Sequence, residues 1–158
     1  LRVHGADLSK AAVALARRNA ATLALDARVS FRAGDLLAPF GQPAFHGRVD
    51  LLTCNPPYIS SGKVEAMPAE ISTHEPRLAF DGGPLGVSLL TRLMQDAPRF
   101  LRLGGWLAFE VGLGQGKAMA RRLRNDSAWD DVRELVDDAG AVRAVLARRS
   151  LLNAKARA

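Results

Sequence analysis

With one cysteine in 158 residues the chain can form no internal disulfide, and Cys54 with three scattered histidines makes no cluster at metal-ligand spacing. A reducing, cytoplasmic setting without a bound metal is the expectation. No apolar run approaches the ~20 residues of a membrane-spanning helix, so a helical span is excluded. Aromatic residues are 6% of the chain and do not interleave with its arginines, so direct binding of nucleic acid by base stacking has no support. His4, His46 and His74 stand beside no serine or cysteine nucleophile motif, and a hydrolase triad is set aside.

What is present is a globular composition, 48% apolar and 24% charged, with a net charge of +6 that comes from arginine. Groups at Arg17-Arg18, Arg121-Arg122-Arg124 and Arg148-Arg149 permit a nucleic-acid or ribosomal partner; solvated helix faces and strand ends are the simpler account. The length suits one domain over residues 1–150, burying roughly two thirds of its unfolded surface, followed by a tail over 151–158. The opening "LRVHGADLS" has neither Met nor a leader and reads as a piece of something longer.

Along the chain, a strand over Leu1–Ala6 ends at Asp7, and Ser9 is placed to cap a helix whose apolar positions run to Leu25. "ARVSFRAGDLL" alternates as a second strand and ends at Asp35. "GRVDLLTCNPPY" holds an apolar run expected of a central strand covered on both faces. Breakers from Ile59 to Pro84 predict a functional loop of over twenty residues. A helix follows over Leu89–Leu101, with Pro98 expected to kink or divide it. "LGGWLAFEVG" is a turn and a fourth strand, "GLGQG" a loop and helix start, and "DVRELVDDAGAVRAVLARR" an antiparallel hairpin at a sheet edge. Strands alternating with helices imply an α/β fold, an open and mostly parallel Rossmann-like sheet.

Ligands of such sheets gather at the carboxyl ends of the strands, where Asp7, Asp35, Asn55 and Glu110 all fall. Asp7 either accepts hydrogen bonds from a ribose diol or caps the helix that follows it, and Asp35 has the same two readings or meets an adenine amine. Glu110 reads as a helix-cap or ladder-end carboxylate. Asn55 and Pro56 offer two carbonyls able to accept both hydrogens of a planar NH2 group, and Tyr58 offers a ring face to stack on it.

"NPPY" at Asn55–Tyr58, the spacing of Asp7 and Asp35 before it, "HEPRLAFDGGPLG" from His74, "LGGWLAFEVGLGQG" from Leu103 and "DDAG" from Asp137 together resemble the release-factor glutamine N5-methyltransferase family. The likeness runs through nearly all of residues 2–148. It implies a class I methyltransferase sheet lacking its first strand, its glycine-rich loop and the helical N-terminal domain. It implies S-adenosylmethionine as cofactor and S-adenosylhomocysteine as product, with Asp7 and Leu8 at the ribose, Asp35 and Leu36 by the adenine, and Asn55 touching both cofactor and substrate. Asn55 and Pro56 would be the catalytic pair, and Pro57, Tyr58 and Glu75 further substrate-binding residues. The implied substrate is a glutamine in the GGQ loop of a peptide chain release factor. A ribosomal-protein glutamine methyltransferase, a nucleic-acid amino-methyltransferase and a non-catalytic ribosome-binding fragment stand as alternatives. Strands made to be paired on both sides would present open edges, so self-association is expected, and the fragment alone is expected to be inactive.

Overall fold

The structure, a computed structural model, describes residues 1–65, 80–83 and 85–152. It divides into two compact units, Leu1–Pro43 and Ala44–Ala158.

In the first unit β1 (Val3–Asp7) and β2 (Val29–Ala33) pair in parallel, joined by helix α1 (Lys10–Thr22). Ser9 is the N-cap: its hydroxyl accepts from the amide of Ala12 at 3.2 Å, satisfying one of the helix's unpaired donors. Val13 and Ala20, seven residues apart and therefore on one helical face, are its buried residues. The helix ends three residues short of Leu25, because Ala24 turns left-handed with φ 53°.

In the second unit the strand order is β3-β4-β6-β5, for β3 (Val49–Cys54), β4 (Leu101–Glu110), β5 (Trp129–Val136) and β6 (Val142–Arg149). β3 and β4 are parallel, whereas β6 runs antiparallel to both its neighbours. The hairpin therefore folds back so that its second strand, β6, meets the sheet and β5 takes the edge. Gly140, left-handed at φ 76°, closes its turn, and one Asp137 carboxylate oxygen accepts from the amides of Ala139 and Ala141. Helix α2 (Ser61–Glu65) follows the diproline segment, α3 (Ser88–Phe100) packs on β4, and α4 (Gly116–Arg124) packs on β5 and β6.

The core of this unit lies between α3, α4 and the sheet. Leu90, Leu93, Ala97 and Phe100 recur at helical spacing on the buried face of α3, opposite strand residues Leu107, Phe109 and Val145. Each fully buried leucine or phenylalanine contributes about 1.5–3 kcal/mol over leaving it in water.

The strands form two sheets, so β1 and β3 each have a single hydrogen-bonded neighbour, the open edges expected of a sheet lacking its first strand. Other expectations change. β3 is not covered on both faces: it is the edge of its sheet, only Leu52 is buried, and Leu51 is 58% exposed. Pro98 does not divide its helix, which runs through to Phe100; two residues from the end, the missing N–H costs one terminal bond. The turn of "LGGW" lies inside β4, where Val49 pairs with Leu101 but Leu51 pairs with Trp106. The long loop contains α2 and a returning segment: Ile59 forms a parallel bridge with Asp81. No helix among the described residues is long and apolar enough to cross a membrane.

Arginine clusters serve the fold. Arg148 pairs with Asp130 at 2.8 Å and holds that carboxyl below its ordinary range, Arg124 pairs with Glu134 at 2.7 Å, and Arg122 donates to the Thr91 hydroxyl. Such exposed pairs contribute ~1 kcal/mol or less each. Their partners lie on neighbouring strands and helices.

Candidate amide-binding site

β3 stops where the prolines begin, because neither Pro56 nor Pro57 can donate to a ladder. Asn55 is exposed at the carboxyl end of β3, Pro56 is buried beneath it, and Pro57 and Tyr58 are half-buried. Among the described residues no hydrogen bond engages the Asn55 side chain. Burial pushes the thiol of Cys54, just before it, up to about 11, so it stays protonated at neutral pH.

Two further segments hold the diproline turn in place. The returning residues 80–83 lie against Ile59 and Ser61: Ile59 donates to the Phe80 carbonyl at 3.0 Å, Gly82 to the Ile59 carbonyl at 2.8 Å, and Ser61 to the Gly83 carbonyl at 3.0 Å. Asp81 accepts from the Ser61 hydroxyl at 2.6 Å and from the Gly83 amide at 2.9 Å. The approach needs glycine. A Cβ on Gly82 would stand 2.6 Å from the Pro57 carbonyl oxygen, and one on Gly86, left-handed at φ 70°, would overlap the Tyr58 carbonyl oxygen.

From the other side comes the end of β4. The Tyr58 hydroxyl donates to Glu110 Oε1 at 3.0 Å, and the same oxygen lies 3.6 Å from the guanidinium of Arg143. A Cβ on Gly112 would meet the Tyr58 ring at 2.9 Å, so the ring edge rests on bare backbone. Glu110 is thus the anchor of the tyrosine, not a helix cap; its position was readable but its partner, 52 residues away, was not. The Gln115 side chain also joins these segments, and nothing in "GLGQG" announced it.

In the first unit, Asp7 is exposed at the end of β1, and one carboxylate oxygen accepts from the Ser9 amide at 2.7 Å. This is an Asx turn that leads into α1, whose N-cap is Ser9 and not Asp7. Leu8 is 55% exposed. Asp35 follows Gly34 at the end of β2, and Leu36 is left-handed at φ 45°, a strained shape for a leucine that turns the chain sharply past the strand end. Glu75 lies outside the described residues. Among the described residues no group of three or more His, Cys, Asp or Glu side chains could hold a metal ion.

No protein-family model matches the chain. It is 41% identical over 148 residues to the release factor glutamine methyltransferase of Moorella thermoacetica, covering 94% of this chain and 50% of that protein. Against the same enzyme of Caulobacter vibrioides it is 37% identical over 152 residues, 96% of this chain and 51% of that one. It is also 42% identical over 113 residues to the ribosomal protein uL3 glutamine methyltransferase of Bradyrhizobium diazoefficiens, 72% of this chain and 34% of that one. The chain spans about half the length of the first two relatives. Among solved structures, the hMettl16 catalytic domain in complex with MAT2A 3′UTR hairpin 1 aligns with a TM-score of 0.62 at 15% identity, over 94% of this chain and 55% of that one. Geranyl diphosphate C-methyltransferase from Streptomyces coelicolor, in complex with S-adenosyl-L-homocysteine, aligns at 0.54 with 16% identity over 94% and 64%. These likenesses show the methyltransferase fold.

Proposed function

Since the chain is a homologue of the release factor glutamine methyltransferases, we propose that it is the catalytic portion of an enzyme that methylates the side-chain amide nitrogen of a glutamine in the GGQ loop of a peptide chain release factor. The observation that carries this is Asn55, an amide exposed at the end of β3 where two prolines stop the ladder, followed by a tyrosine whose hydroxyl is bonded to Glu110.

When bound, S-adenosylmethionine supplies an electrophilic methyl on a sulfonium and leaves as S-adenosylhomocysteine. In the first unit Asp7, with Leu8 beside it, would suit the ribose diol and Asp35 with Leu36 the adenine; in the second, Asn55 would suit the methyl end. The exposed carboxylate of Asp7 is an acceptor of the kind a ribose diol needs. Asn55 Oδ1 and the Pro56 carbonyl accept the two N–H groups of the glutamine amide, and Tyr58 lies against its plane. An amide nitrogen is a poor nucleophile, since its lone pair is shared with the carbonyl. Holding both N–H groups turns that lone pair along the line of displacement. The nitrogen would gain positive charge on accepting the methyl, and the carbonyl dipoles of Asn55 and Pro56 would stabilise it. The extra proton then passes to water at the exposed rim, so no dedicated base is needed. Pro57 and Glu75, the latter outside the described residues, would be further substrate-binding residues.

A second reading, methylation of a ribosomal-protein glutamine, is favoured by the likeness to the uL3 enzyme. Methyl transfer from labelled cofactor by the full-length protein to a release factor, to ribosomal protein uL3 and to an oligonucleotide separates these readings. Transfer to the release factor alone is expected. Transfer to uL3 alone would move the assignment to the second reading, and transfer to none, with ribosome binding kept, would end the enzymatic reading.

A further inference from the structure

Gln115 occupies the N-cap of α4 yet makes no side-chain bond to its own helix. Short polar side chains usually fill that position and satisfy the helix's first amides. Here the longer side chain reaches away. Its Oε1 accepts from the Gly112 amide at 2.9 Å, and its Nε2 donates to the Tyr58 carbonyl at 2.9 Å and the Gly86 carbonyl at 3.2 Å, with the Leu85 carbonyl at 3.5 Å. Both amide hydrogens are used, and surroundings of one N–H and three carbonyls allow a single orientation of the group. The glycines on either side make room for it: a Cβ would lie 2.8 Å from Nε2 at Gly86 and 3.0 Å from Oε1 at Gly112. One side chain thereby joins three segments: the end of the diproline turn, the returning segment and the end of β4.

Resting on the reading of Asn55–Tyr58 as the amide site, we infer that Gln115 is a positioning residue for methyl transfer: it fixes the backbone of Tyr58, and through it the ring plane and the Pro56 carbonyl two residues upstream. Glu110 holds the Tyr58 hydroxyl and Gln115 its carbonyl, while the Ile59 amide of the same peptide group bonds the Phe80 carbonyl at 3.0 Å. With the Gln115 bonds gone, that peptide group keeps only its returning-segment bond, and the ring plane loosens against Gly112. Asn55, at the strand end, stays where β3 puts it. The damage falls on the alignment of the reacting amide and spares the groups assigned to the cofactor.

Tyr58 is the only tyrosine among these 158 residues, and in fluorotyrosine-labelled protein its resonance is identified as the one that Tyr58→Phe removes. The variants are Gln115→Leu, which keeps the bulk and removes every bond, and Gln115→Glu, which keeps the length but turns a carboxylate toward three carbonyl oxygens. In the full-length protein both should shift or broaden the Tyr58 resonance. Both should lower kcat by ten- to a hundred-fold, as a misaligned reacting group does, with KM for the cofactor within about two-fold of the parent, as expected when a contact outside the cofactor site is lost. Gln115→Asn, one methylene shorter, should show the same pattern and serves if either of the others fails to fold. An unmoved resonance in a folded variant, an unchanged kcat, or a loss confined to KM for the cofactor would overturn the inference. If the parent methylates no protein glutamine, the functional reading fails, while the fluorine spectra still decide whether Gln115 sets the position of Tyr58.

Discussion

Gly86 and Gly114 are both left-handed, at φ 70° and 82°, but a Cβ on Gly114 would meet nothing within 4 Å whereas one on Gly86 would overlap the Tyr58 carbonyl oxygen and crowd Gln115 Nε2. Alanine at both positions therefore separates backbone strain from steric exclusion. Gly114→Ala bears only the left-handed conformation, about 1 kcal/mol. Gly86→Ala bears that and must also push the returning segment off the turn, giving up the bonds of Gln115 to Tyr58 and Gly86 at about 1 kcal/mol each. The sum is about 3 kcal/mol, or about 10 °C in melting temperature at this chain length. Thermal denaturation of the two variants reads the difference. Amide exchange reads its location: the Gly82 and Ile59 amides, bonded to Ile59 and Phe80 carbonyls at 2.8 and 3.0 Å, should lose protection in Gly86→Ala and keep it in Gly114→Ala. Equal melting temperatures, with both amides still protected, would mean that Gly86 does not approach the Tyr58 backbone, and the described clamp would be wrong.

Asn55→Ala should lose on the order of 100-fold in methyl transfer, comparable to removing one oriented polar contact, while leaving the melting temperature unchanged because the side chain is exposed; near-normal turnover in the full-length protein would remove Asn55 from the amide site. From the sequence alone Tyr58→Phe is expected to be mild and Tyr58→Ala damaging. With the hydroxyl bonded to Glu110, the phenylalanine variant should lose about 1 kcal/mol of stability and part of kcat, still well short of the alanine variant; equal damage would show that the hydroxyl and not the ring face matters. Cys54 titrates at about 11 in the folded chain against 9.0 for an ordinary thiol, so the folded state holds its proton where the unfolded state has lost it. Stability is unaffected below pH 9 and falls by about 2 kcal/mol as pH rises from 9 to 11. Denaturant titrations of the parent and Cys54→Ala across that window check the sign, since the extra loss should vanish in the variant.

Local rules carried much of this protein in the linear sequence. The Ser9 cap, the buried stripe of α3, the Gly140 turn and the strand ends at Asp7, Asp35 and Asn55 were legible because each depends on the periodicity or backbone preference of a few consecutive residues. The Asn-Pro-Pro-Tyr segment was legible for the same reason: two prolines end a ladder wherever they fall. Only the tertiary structure decided what that segment leans on. Glu110 meets Tyr58 across 52 residues and Gln115 meets it across 57, contacts fixed by the parallel register of β3 on β4 and by the turn after β4, neither of which any short window encodes. The bareness of Gly82 and Gly86 acquires its meaning only where a second backbone comes within a Cβ's reach. The apolar run of β3 misled about its faces for a related reason: hydrophobicity records what a strand can bury, whereas which face is covered is set by what the chain packs against it, and here Leu52 is buried while Leu51 lies open.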